Sequence, residues 1–266
     1  MRLFVLAVVA NLALDIPRPW DLALMVVPVL LFLVRPPRSE HAPVDLAPPV
    51  RGRWVALNSP GTSVPSHGVN AYGQAYAVDL LQPSPSAPTR TGWSPRTRRP
   101  ESYPSFGAPV HAMAAGTVVE AADRQRDHRG RDTWPALVWM MTAEALVREV
   151  VGAPLILGNH VVVEHGDGTF AAYAHLRRGS VTVSVGDRVV AGQPIAAVGN
   201  TGNTSEPHLH VQVMDRRRLT AAAGIPMRWP ELVVDPDVLD ERWATGSPKP
   251  TALADFPANG QVFDAA

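Results

Sequence analysis

Residues 159–176, NHVVVEHGDGTFAAYAHL, constrain the fold of this 266-residue chain more than any other stretch. Two runs rich in β-favouring residues flank Gly166-Asp167-Gly168, a tight link that marks a β-hairpin. Shorter runs of the same kind surround it. PVHAMAAGTVVEAAD (109–123) reads as a strand pair around Ala-Gly, and SVTVSVGDRVVAGQPIAAVG (180–199) as further short strands turning at Gly186-Asp187 and Gly192-Gln193. The polar loop NTGNTSEP then leads into HLHVQV. Pro (27) and Gly (20) are plentiful and aromatic residues few (6%), which favours a loop-rich β fold over a helical bundle. The expectation is a mainly β domain built on an antiparallel sheet. One stretch departs from it: the apolar spacing of TWPALVWMMTAEALVREVVG (133–152) predicts a helix of three to four turns inserted between strands.

The N-terminus is of another kind. Residues 1–38 hold two apolar runs, Leu3–Leu14 and Leu22–Val34, separated by DIPRPWD, and each is shorter than the ~20 residues of a spanning helix. An uncleaved signal anchor, a tilted or re-entrant hairpin and a buried helix all fit; export or membrane anchoring is the favoured reading, and the flanking arginines leave orientation open. Residues 39–50, rich in Pro, read as a linker, and residues 236–266 as a loosely attached C-terminal extension. The domain is expected over 51–235, with insertions at 83–107, a surface loop rich in Pro, Ser and Arg, and at 124–156. A net charge of zero gives no electrostatic case for nucleic acid, and with no cysteine any metal site must use His, Asp or Glu.

Nine histidines are present. His41 and His128 lie in linker or polar loop, and His111, His160 and His165 in or beside strands, where a structural role is expected. His67, His175, His208 and His210 remain. His208 and His210 are two apart in a strand, so their imidazoles share one face while Leu209, Val211 and Val213 take the other. Three protein groups and one open position make a catalytic zinc site, and Asp79, at the end of HGVNAYGQAYAVD, adds a carboxylate to the candidates. There is no HExxH, which argues against the helical zinc proteases, and no G-x-S-x-G elbow.

Taken together, YAHL closing a strand, V-x-x-G-x-x-V-x-x-G-Q-x-I, a GNTG loop, PHLH leading into a strand, and APVHAMAAGTVVEA resemble the lysostaphin-type zinc metalloendopeptidases over roughly residues 60–215, insertions excluded. The resemblance implies the family's β fold and peptide-bond hydrolysis in peptidoglycan outside the cytoplasm. It implies Zn2+ held by His67, Asp79 and His210, with His175 and His208 as catalytic imidazoles. It also implies a groove walled by loops 67–79, 83–107, 177–180 and 200–207 and narrowed by the helix near 135–151. The commonest family pattern is H-x-x-x-D; here Asp79 lies twelve residues after His67. A second reading comes with the same fold: a catalytically inactive module that binds peptidoglycan or activates other wall hydrolases. A third is a membrane-bound scaffold.

Overall fold

Strands form where apolar residues alternate or cluster between turns, and in the computed structural model they assemble around one antiparallel sheet. The structure describes residues 7, 10–11, 14, 17–31, 36–84, 92–94 and 96–266. The strands of the first half are β1 (Val44–Asp45), β2 (Gly52–Leu57), β3 (Val78–Leu81), β4 (Pro109–His111) and β5 (Gly116–Ala122). β6 (Asn159–His165), β7 (Phe170–Leu176), β8 (Arg188–Val189), β9 (Pro194–Ala197) and β10 (Leu209–Met214) follow. Last come β11 (Gly224–Ile225), β12 (Met227–Arg228), β13 (Val233–Leu239) and β14 (Gln261–Ala265). The main sheet has the order β13-β14-β2-β3-β10-β7-β6-β5-β8, with β11 also pairing with β10. Two small pairs, β1-β12 and β4-β9, lie outside it.

The expected hairpin is β6-β7, joined at Gly166-Asp167-Gly168. The two strands expected over 109–123 also form, but they do not pair with each other: β4 joins β9, while β5 joins β6 and β8. The inserted helix is present in segments: α2 (Trp134–Trp139) and α3 (Ala145–Val151), joined by a π turn at Met140–Glu144, then α4 (Ala153–Leu157). Gly152 and Gly158, both at positive φ, bound α4. Glu144 in the π turn pairs with Arg131 and Arg148, and Arg131 also donates to the Thr204 carbonyl (3.0 Å). The insertion is thereby tied to the loop that precedes His208.

One face of the sheet carries the main core, with Trp54, Val78, Leu80, Val161, Val163, Tyr173, Leu209, Val211, Val213 and Phe263 buried together. The opposite face carries a smaller apolar cluster of Val162, Ala172, Ala174 and Met214 under Leu157 and Leu219. Two boundary expectations are corrected here. The stretch read as a linker is part of the domain: β1 pairs with β12, and Leu46 and Val50 are in the main core. The C-terminal extension is not loosely attached either. β14 pairs with β2 inside the sheet and buries Phe263, and Phe256 stacks on Trp229 (4.7 Å). Its strand escaped detection because QVFDA is short and sits among proline and glycine. At the N-terminus a helix of 12 residues, α1 (Trp20–Leu31), covers much of the second apolar run. The first run lies largely outside the described residues. Among the described residues no helix is long and apolar enough to cross a membrane.

Candidate active site

Adjacent strands bring the predicted residues into one row. Asp79 on β3 lies opposite His210 on β10, and His210 lies opposite Ala174 on β7. β10 alternates as expected, with Leu209, Val211 and Val213 in the main core and His210 and Gln212 on the other face. His175 requires more than alternation. Tyr173 belongs to the main core and Ala174 to the opposite face, so a regular strand would send residue 175 into the main core. A left-handed backbone at His175 (φ 62°) reverses the order: Leu176 enters the core, and the imidazole turns to the site.

The structure brings all five predicted residues together. His210 Nδ1 lies 2.8 Å from Asp79 Oδ1. His67 Nε2 lies 3.3 Å from Asp79 and its ring 4.9 Å from that of His210. The ligating atoms of His67, Asp79 and His210 are all within 4.8 Å of one another. His208 Nε2 is 3.6 Å from Asp79 Oδ1, and the His175 ring is 4.7 Å from that of His208. All are buried except His67, which is partly exposed.

Neighbouring groups set the protons. His175 Nδ1 donates to the Thr201 carbonyl (2.9 Å) and His208 Nδ1 to the Glu206 carbonyl (2.8 Å), because a carbonyl can only accept. Nε2 of each neutral ring is therefore the basic atom. Ser66 Oγ donates to the Ala77 carbonyl (2.7 Å), so it accepts from His67 Nδ1 (3.1 Å) and leaves His67 Nε2 to face Asp79.

Burial, then the charges of His208 and His210, hold the His175 imidazole well below its ordinary range. Burial also depresses His208, with Asp79 opposing. Burial works against the charged form of His210 too, but the Asp79 hydrogen bond and charge outweigh it, so its pKa is raised. Burial alone would raise the Asp79 carboxyl; the charges of His67 and His208 and hydrogen bonds from His210 and His67 bring it well below the usual carboxylate range. The place that favours positive charge is thus between Asp79 and His210. Two imidazole nitrogens and one carboxylate, converging without thiolate, suit a zinc ion with an open position, and the donor set fits that metal.

These residues line a cleft of about 210 Å³. Its walls come from residues 67–79 and 203–206, as expected, and Met140, Ile156 and Leu157 of the helical insertion close one side. No described residue of 83–107 and none of 177–180 lines it; Leu57, Asn58, Leu81 and Trp243, which the sequence reading missed, do. Asn58 donates to Asp79 Oδ2 (2.7 Å) and Gln212 contacts His210 Nε2 (2.9 Å). The period of two that places His208 and His210 on one face also places Gln212 there; nothing in the sequence marks Asn58.

Residues 141–221 match the model of peptidase family M23, a span that contains His175, His208 and His210 but neither His67 nor Asp79. Over 72 residues the chain is 42% identical to the peptidoglycan DD-endopeptidase ShyA of Vibrio cholerae, covering 26% of this chain and 16% of that protein. Over 108 residues it is 35% identical to the murein hydrolase activator EnvC of Escherichia coli, covering 38% of this chain and 24% of that protein. The chain thus spans less than a quarter of either relative. Among solved structures, the catalytic domain of the antimicrobial peptidase lysostaphin from Staphylococcus simulans aligns with 62% of this chain and 84% of that one, at 23% identity and a TM-score of 0.35.

Proposed function

We propose, from the premise that this chain carries a peptidase family M23 domain, that it is a zinc-dependent endopeptidase hydrolysing peptide bonds in peptidoglycan outside the cytoplasm. The observation that carries the reading is the convergence of His67, Asp79 and His210 beside two buried imidazoles whose Nε2 atoms make no hydrogen bond among the described residues. Zinc in this site would supply Lewis acidity, activating a water molecule and polarising the scissile carbonyl. His67 Nε2, Asp79 Oδ1 and His210 Nδ1 are the atoms that would hold it. His175 and His208 are neutral at neutral pH and have Nε2 available, so either accepts a proton and returns it to the leaving amine. Their adjacency lets the second imidazole steady charge that develops beside the first. Leu157, Ile156 and Met140 exclude water from one side of the cleft.

The murein hydrolase activator among the relatives keeps a second reading in view, a module that binds or activates without cutting. All five residues being in place favours the enzyme. Elemental analysis of the purified full chain and of its Asp79→Ala variant separates the two. About one zinc per chain, lost in the variant and accompanied by solubilisation of cell-wall material, is the expected result. A chain that takes up no zinc even when supplemented moves the activating module to first place.

A further inference from the structure

We infer that the long excursion between His67 and Asp79 is a positioning device: it carries the Tyr72 carbonyl to Gln212, and Gln212 in turn fixes which nitrogen of His210 is free to bind a cation. The inference rests on the reading of His67, Asp79 and His210 as zinc ligands.

Donors and acceptors fix the orientation of the Gln212 amide. The Tyr72 carbonyl can only accept, so the amide nitrogen of Gln212, 2.8 Å away, must face it. The amide oxygen of Gln212 then points the other way and lies 2.9 Å from His210 Nε2. That oxygen also only accepts, so Nε2 carries the hydrogen and the lone pair of the neutral ring is on Nδ1. Nδ1 faces Asp79 Oδ1 at 2.8 Å. At that distance the two atoms are held together by a cation between them, a proton in the metal-free protein, whose place zinc would take. In the other tautomer Nδ1–H would donate to the Asp79 carboxylate, a charge-assisted hydrogen bond that competes with metal. Gln212 is fully buried.

The excursion is built for this contact. Tyr72 (φ 62°) and Gly73 (φ 70°) both have left-handed backbones within the turn Ala71–Tyr76, which reaches across to β10. A Cβ at Gly73 would stand 2.7 Å from Met214 Cγ and 3.0 Å from Gln212 Nε2, so the close approach needs glycine. The twelve-residue spacing that departs from H-x-x-x-D thereby acquires a use.

The test compares the full chain with Gln212→Leu, Gln212→Glu and Gly73→Ala. Zinc affinity is measured by competition with a chromophoric chelator. The His210 tautomer is read from ring 15N shifts of the metal-free protein at a pH where the ring is neutral. Gln212→Leu should bind zinc about 10–100-fold more weakly, and its His210 should lose the preference for Nε2–H. Gln212→Glu keeps an acceptor for Nε2–H and should retain most of the affinity; Gly73→Ala should fall between. A folded Gln212→Leu protein with the zinc affinity and His210 tautomer of the parent overturns the inference. A parent that binds no zinc overturns the function proposed above instead, and the tautomer measurement still decides the role of Gln212.

Discussion

Asn58 (φ 44°), Tyr72 (φ 62°) and His175 (φ 62°) are the non-glycine residues with left-handed backbones among the described residues, and all three serve the same site. Asn58 holds Asp79, the Tyr72 carbonyl holds Gln212, and His175 is itself turned into the cleft. Each such conformation costs on the order of 1–3 kcal/mol and persists where surrounding structure imposes it. Their concentration at one place is what a functional site built against local preference looks like. The division of labour between His208, just before β10, and His210 within it gives a prediction at this scale. His210→Ala removes a ligand and should abolish stoichiometric zinc, whereas His208→Ala should retain zinc and lose about 10²–10⁴-fold in peptide hydrolysis. Zinc content and wall-hydrolysis rate on the same preparations check it; full zinc occupancy in His210→Ala would refute the assignment. The five predicted residues were legible because His-x-His in a strand and the motifs around it limit the choices. Asn58, Ser66 and Gln212 were not, because their roles depend on which backbone groups come within hydrogen-bond distance after folding.

At the scale of elements, the hairpin β6-β7 and the strand β10 were readable from alternation, since one face of each packs into the main core. The helical insertion was readable from apolar spacing, though its π turn, which aims Glu144 at Arg131, was not. The C-terminal strand β14 could not be recognised locally: its partner β2 lies some two hundred residues away. Yet the segment that leads into it reaches the site. The Ser59 hydroxyl donates to the Pro257 carbonyl and Asn259 Oδ1 accepts from the Ser59 N–H (2.8 Å), which buttresses the turn that presents Asn58 to Asp79. Phe263 is fully buried between Trp54 on β2 and the ring of Trp229. Phe263→Ala should therefore cost about 3–5 kcal/mol, which for a domain of this size lowers Tm by about 6–20 °C. Removal of residues 247–266 should do at least as much damage and weaken zinc binding as well. A truncated protein that melts at the parent temperature would show that the C-terminal segment is only loosely attached, as its sequence suggests.

Over the whole molecule, one core runs from Leu46 to Ala265, so the folding unit includes both the linker and the tail. Fold class followed from a period of two; the extent of the domain did not, because its outer strands are short and distant in sequence. The same burial that makes the core fixes the response to acid. His111, His165, His175 and His208 all have pKa values depressed first by burial, and His128 by burial and then Arg131. A histidine kept neutral in the fold takes up its proton on unfolding once the pH is below about 6.5, the unfolded value. The unfolded state then binds more protons, and stability is lost as pH falls from there toward the folded pKa. His210 acts in the opposite sense: its raised pKa contributes stability that is complete below about 6.5 and lost as pH rises through the folded value. Asp79, depressed, matters only below the ordinary carboxylate range. Glu206, whose carboxyl is raised by burial to about 7, also favours the fold as pH falls through that value; five depressed histidines outnumber Glu206 and His210, which gives a metal-free protein less stable at pH 5 than at pH 7.5, with each group contributing at most about 1.4 kcal/mol per pH unit. His165 isolates the effect from the site, because it lies outside the cleft and its buried Nε2 has no hydrogen-bond partner among the described residues. Urea unfolding in the presence of chelator should show the midpoint falling between pH 7.5 and 5, and His165→Phe should flatten part of that fall. A midpoint that holds constant across the window in the parent would mean that the buried histidines already carry protons in the folded state.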